Sequence, residues 1–150
     1  MFLKNYTSQV PVSQTICRIE QVLLKCGVSG ITKEYGATAN VVAIQFHIKR
    51  GPELPEITIR LPADKERALE ALWLDYADGD KLTPDGKALQ WHSRKKLKRA
   101  NFAEQAERTA WKIVQDWMEV QMSMIQLKQA ETLEVFLPYV MALTLKRTAP

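Results

Sequence analysis

From Phe102 to about Gln129 the apolar residues fall at helical spacing: Ala106, Ala110, Ile113, Trp117, Met124 and Leu127, flanked by Val114, Met118 and Ile125. Residues three and four apart stack on one side of an α-helix, so this stretch reads as a long amphipathic helix with one broad apolar stripe. Asn101 and Glu104 stand three residues apart in a capping-box pattern at its start. Glu104, Glu107, Asp116 and Glu119 populate the wet side, where Glu104 and Arg108 are placed to pair at i,i+4. A helix of this length cannot bury its stripe alone. The rest of the chain has to offer it an apolar face.

The preceding residues supply that face as a sheet. Val41 to Lys49 alternates, with Val42, Ile44, Phe46 and Ile48 on one side and Ala43, Gln45 and His47 on the other. Val28 to Tyr35 and Glu56 to Leu61 read as its neighbours. Gly36 to Asn40 forms one hairpin loop and Arg50-Gly51-Pro52 begins the second turn. Connections this short favour an antiparallel meander with one wet face. A helix over about 14–26 comes first, with Ser13 as N-cap, Ile16, Ile19, Leu23 and Cys26 as its stripe and Gly27 as its stop. A helix over 64–77 follows the strands, with Ala68, Leu69, Leu72, Trp73 and Tyr76 on its apolar side. Thr132 is expected to cap a last segment, Leu133 to Leu145, that Pro138 kinks or splits. The fold class is therefore α+β: a helix, a three-stranded antiparallel sheet and a helix, followed by a long amphipathic C-terminal helix. At 150 residues this is one domain, 1–150, with residues 79–100 as a basic connector.

The opening residues lack an apolar signal-peptide core, and the apolar runs, such as Val41 to Ile44, are far too short to span a bilayer. Cys17 and Cys26 lie nine residues apart on one helix, on opposite faces, so they read as buried, reduced thiols. The expectation is a soluble, cytoplasmic protein without a membrane partner.

Catalytic patterns are missing. His47 and His92 stand without Cys, His or carboxylates at ligand spacing, which gives no metal site. There is no GxSxG, GxGxxG or Walker sequence, so no nucleophile elbow and no phosphate-binding loop. No cofactor and no catalytic residue is assigned, and an enzyme is not the expected reading.

Charge offers the sharpest lead. The chain carries a net +4, yet Lys81 to Ala100 holds seven Lys or Arg against Asp85 alone, so this segment is +6 and the remainder −2. Trp91, Arg94, Lys95, Lys96, Lys98 and Arg99 combine five cations with an aromatic ring. Cations of this density release counterions from phosphate backbones, and a Trp can stack on an unpaired base. DNA or RNA is the partner this chemistry suits. The wet sheet face, with Gln45, His47, Lys49, Thr58 and Arg60, is expected to be polar and slightly basic beside it. The competing reading is a solvated connector anchored by Trp91 and Leu97. Trp111, Trp117, Met118, Met122 and Met124 read as core, but a stripe this broad also allows a homodimer or another protein partner.

Two stretches carry a resemblance. Tyr6-Thr7, Thr15, Ile19, Gly27, Glu34-Tyr35, Ala43-Ile-Gln-Phe46 and Ile59-Arg-Leu-Pro62 form one. Ala106-Glu-Arg-Thr-Ala-Trp-Lys-Ile-Val-Gln-Asp-Trp117 and Glu134-Val-Phe-Leu-Pro138 form the other. Together they resemble a family of short proteins from phages, prophages and other mobile elements of bacteria, a family without an assigned activity. The resemblance implies a phage or prophage setting and no catalytic residues. It leaves out about residues 77–100, where the basic run lies.

Overall fold

The computed structural model describes residues 2–77 and 97–141. In chain order these form α1 (Val12–Lys25), β1 (Gly30–Tyr35), β2 (Val41–Ile48), β3 (Ile57–Pro62), α2 (Lys65–Ala77), a 3-10 turn (Arg99–Phe102), α3 (Ala103–Gln126), α4 (Thr132–Phe136) and a second 3-10 turn (Leu137–Tyr139). The α+β class, the order of elements and the long helix follow the sequence pattern. The chain divides into two compact units, Met1–Ile16 with Ala63–Gln115, and Cys17–Pro62 with Asp116–Pro150.

The second unit holds the sheet. Its order is β1-β2-β3, both pairs antiparallel. In β2–β3, Ile44 faces Leu61, Phe46 faces Ile59 and Ile48 faces Ile57. Residues directly opposite share a face, so one side of the pair is a continuous apolar surface. Ile44, Phe46, Ile57, Ile59 and Leu61 are buried on it. The other face pairs Gln45 with Thr32 and Arg60, and His47 with Thr58. The hairpin from β1 to β2 closes through Gly36 N–H to the Asn40 carbonyl at 2.8 Å, and the register slips at Glu34/Tyr35. A slip of this kind and the exposed Lys33 blunt β1 as an edge strand. The β3 edge is partly covered: Val140 bridges Ile59, and Met141 N–H donates to the Thr58 carbonyl at 3.0 Å.

Three helix boundaries differ from expectation. Ser13 is not the cap of α1, which begins at Val12. The Pro11 carbonyl accepts the first ladder bonds from Gln14 and Thr15, and proline's fixed φ suits a helix entry. Asn101 does not cap α3. It lies in the 3-10 turn and its Oδ1 accepts from Lys98 N–H at 2.7 Å, so the capping contact sits one turn earlier. Thr132 is the first residue of α4 rather than its cap, which is Glu131. Pro138 does split the last segment: α4 stops at Phe136 and a 3-10 turn carries the proline. Gly27 ends α1 as expected, with φ +78°, a backbone region that glycine enters without strain.

The first unit is helical. Asp64 Oδ1 accepts from Arg67 N–H at 3.1 Å and starts α2. Ala68 and Leu72 of α2 pack with Phe102, Ala106 and Ala110, and Leu3, Tyr6, Leu69, Trp73, Tyr76 and Leu97 close around them. Trp73, Tyr76 and Phe102 form an aromatic cluster with centroids 5.3–6.2 Å apart.

The buried side of α3 differs from the predicted stripe, although Ala106, Ala110 and Met118 belong to both. Gln105, Ala106, Thr109, Ala110, Trp111, Gln115 and Met118 are buried, whereas Ile113, Val114 and Trp117 are half-buried and Leu127 is 67% exposed. In the first turns the difference has a polar cause. Gln105 and Thr109 turn inward to hydrogen-bond the backbone of residues 5–8. Arg108 donates to the Ser8 carbonyl and to Gln105 Oε1 rather than pairing with Glu104. Trp111 and Met118 are thus core residues, while Met122 and Met124 remain half-buried. The cysteines are free, as expected, but both are exposed rather than buried. Cys17 follows the buried Ile16 by one position and so leaves the buried side, and Cys26 lies just past the end of α1.

Candidate functional site

Of the six residues singled out for nucleic-acid contact, Trp91, Arg94, Lys95 and Lys96 lie outside the described residues. Lys98 and Arg99 are placed, and the structure shows how the run ends. Leu97 is half-buried against the helical core, and its N–H donates to Tyr76 Oη at 3.0 Å. Lys98 N–H is held by Asn101 Oδ1, as above. Arg99 Nη2 lies 2.6 Å from Glu70 Oε2 on α2, with both side chains about half exposed. Three consecutive residues are therefore tied to α2 and to the turn that starts α3, while the Lys98 side chain is left in solvent. Glu70 and Tyr76 carry no sequence signal for this role. Their positions on α2 become informative only once Arg99 and Leu97 are brought beside them.

The wet sheet face is polar, as expected, but its arginine is engaged. Arg60 Nε and Nη2 donate to Glu34 Oε2 and Oε1 at 2.8 and 3.0 Å, a two-point ion pair across the sheet, and Gln45 Nε2 adds a longer contact to Glu34 at 3.4 Å. His47 Nδ1 stands 2.9 Å from Thr58 Oγ1 and 3.6 Å from Glu56. Elsewhere in this unit Lys33 pairs with Glu20 at 2.7 Å and Arg18 with Glu119 at 2.9 Å. The expectation of a slightly basic sheet face is thus corrected: the cation at its centre faces a carboxylate. Among the described residues no cluster of His, Cys, Asp or Glu could hold a metal ion. No helix among them is long and apolar enough to cross a membrane.

Arg60 also sets the protonation of Glu34. Its hydrogen bonds hold the Glu34 carboxyl below the ordinary 4.5, outweighing the opposing effect of burial, and the Gln45 amide and the guanidinium charge add to them. A carboxyl whose folded-state pKa is lowered contributes stability above its unfolded value and loses it as pH falls through the folded one. Glu34→Gln is therefore expected to melt lower than the parent chain at about pH 7, with the gap closing as pH drops through and below about 4.5. Thermal melts by circular dichroism across that range check it. A gap that stays constant down to the most acid samples contradicts the charge-dependent part of the pair.

Comparison with protein-family models, with curated proteins and with solved structures finds no match. The chemistry of the chain itself has to carry the functional reading.

Proposed function

We propose that the chain is a nucleic-acid-binding accessory protein of a phage or prophage, making its contacts through Trp91, Arg94, Lys95, Lys96 and Lys98, with Arg99 as a reserve cation. The anchorage of the run's end carries this reading. A charged tail tethered at one point loses much entropy when it settles on a phosphate backbone. Here residues 97–99 are already fixed by Tyr76, Asn101 and Glu70 at the base of a rigid helix. The Arg99–Glu70 pair is half exposed, so it is weak and exchangeable: a phosphate can replace the carboxylate at a cost of about 1 kcal/mol or less. The sheet contributes polarity but little net charge, which concentrates the site on the run.

Affinity should be salt-dependent. With about four phosphates contacted, Kd for a duplex is expected to rise on the order of 100-fold between about 50 and 200 mM salt. Replacing Arg94, Lys95, Lys96, Lys98 and Arg99 together with alanine should abolish binding at low salt. Fluorescence anisotropy with labelled single- and double-stranded DNA and RNA measures both, and Trp91→Ala should weaken single-strand binding more than duplex binding. Absence of binding by the parent chain at low salt, or equal binding by the five-alanine variant, removes the proposal.

A second reading has its own observation. Val120 within α3 and Leu127 just past its end are 57% and 67% exposed, and Leu24 on α1 is 65% exposed. Apolar side chains in such positions favour a protein partner, including a second copy. Light scattering on the same samples separates the two: a stable dimer that binds no nucleic acid supports the interaction module instead.

A further inference from the structure

The sheet-bearing unit contains a cavity of about 370 Å³ where α1 ends. This is at the small end of the roughly 300–1,000 Å³ range of ligand pockets. Val28, the β2 residue Ile48, and Met122 and Ile125 of α3 line it as apolar walls. Cys26 adds its thiol. Although the residue is exposed, partial desolvation by its neighbours raises the thiol's pKa, so near neutral pH it stays protonated and behaves as a small, weakly polar group.

Polar recognition has few sources here. The last carbonyls of α1 are occupied: Val22 and Leu23 accept from Cys26, Leu24 from Gly27, and Leu23 again from Val28. The end of α3 is closed in the same way, with Ser123, Ile125 and Met124 accepting from Leu127, Lys128 and Gln129. What remains in the lining are Gln126, Thr132 and one charged group, Lys25. Lys25 makes no ion pair among the described residues. Gly27 adds open space rather than a wall, since a Cβ there would meet nothing within 4 Å.

A half-open hollow with apolar walls, whose one charged lining group has no ion-pair partner among the described residues, has a definite complement. Its occupant needs an apolar body small enough for the chamber and one negative charge to meet Lys25. We propose that this cavity binds a small amphipathic carboxylate, with its chain or ring against Val28, Ile48, Met122 and Ile125 and its carboxylate on Lys25 Nζ. Gln126 and Thr132 supply further hydrogen bonds to the same head group. This site is independent of the basic run.

The two free thiols provide the assay. Cys26 lines the cavity and Cys17 does not, and both are exposed. The full chain is treated with N-ethylmaleimide, and labelling of each cysteine is followed by peptide mass spectrometry as octanoate is added. Octanoate is expected to slow labelling of Cys26 about fivefold or more at saturation while leaving Cys17 unchanged. Octanol, of equal length without the charge, should protect less. Lys25→Gln, at an exposed position, should erase the difference between the two ligands. Naphthoate in place of octanoate distinguishes a ring from a chain as the preferred body, and protection by either supports the site. Ile125→Trp fills the chamber and should abolish protection. If that variant fails to fold, as judged by circular dichroism, Lys25→Gln still decides the matter. Unchanged Cys26 labelling at saturating octanoate and naphthoate overturns the proposal. So does equal protection by octanol and octanoate. Protection that grows with protein concentration in the absence of any carboxylate overturns it too, in favour of a second copy covering the cavity.

Discussion

Phe136→Ala should destabilise the chain by about 3–5 kcal/mol, the range found when a buried phenylalanine is cut to alanine and its cavity does not collapse. Phe136 is the last residue of α4 and is fully buried. Its ring stands edge-on to Phe46 of β2, with centroids 5.4 Å apart and planes at 82°, and to Trp117 of α3, at 5.7 Å and 78°. Trp117 in turn meets Tyr139 at 5.3 Å. Edge-to-face pairs of this geometry contribute about 0.5–1.5 kcal/mol each beyond the area they bury. Phe136→Leu keeps most of the volume and loses the ring contacts, so it should cost about 1–2 kcal/mol, well below the alanine variant. The alanine change also loosens the segment that lies on the β3 edge, where Val140 and Met141 bond to Ile59 and Thr58. Urea titration followed by tryptophan fluorescence measures the loss. A midpoint shift equivalent to less than about 1 kcal/mol for Phe136→Ala would show that the aromatic row is a bystander.

The strands could be read because their pattern is local. In β2, period-two alternation separates Ile44 and Phe46 from Gln45 and His47, and pairing with β1 and β3 preserves that separation. One exception is Ala43, buried on the polar side opposite Glu34 and Pro62, where a side chain this small is covered by its neighbours. The cap of α3 departs from the sequence pattern for a related reason. An Asn-x-x-Glu sequence says that a helix entry is near, but Asn101 can give its oxygen forward to a helix amide or back to Lys98. Only the 3-10 turn decides for Lys98. Charge was legible as a sum and illegible as a pattern. Glu34 lies diagonally from Arg60 across β2, and Glu70 and Arg99 are brought together by α2 and the turn before α3. Neither pair is near in sequence. The candidate site is therefore legible in composition, as a run of cations, while the groups that anchor its end are visible only in the fold.

Gln105 is the residue whose importance no periodicity could reveal, and its removal carries the other large effect. It is 1% exposed, at a position outside the apolar stripe that sequence spacing picks out and on the same side as Asp116 and Glu119. Its Nε2 lies 3.0 Å from the carbonyls of both Tyr6 and Ser8, and Thr109 Oγ1 donates to the Asn5 carbonyl at 3.0 Å. The lead-in segment has no strand or helix to satisfy these carbonyls, and Asn5 itself sits at φ +62°. The amide of Gln105 thus stands in for a missing ladder. Leaving a buried carbonyl without a donor costs about 1–3 kcal/mol, so Gln105→Ala is expected to lose about 2–4 kcal/mol. Arg108 softens the loss at Ser8 because it also donates there. Gln105→Glu is the sharper probe. It keeps size and shape but presents a carboxylate to two carbonyl oxygens, so it should be at least as damaging as alanine at neutral pH even though it retains an acceptor for Arg108. Urea titration gives the stability. Trypsin cleavage after Lys4 reports release of the segment and should quicken in both variants before the global transition. If Gln105→Glu proves as stable as the parent chain, shape rather than donation fixes residues 5–8 on α3. The inward turn of this polar side chain then loses its cause.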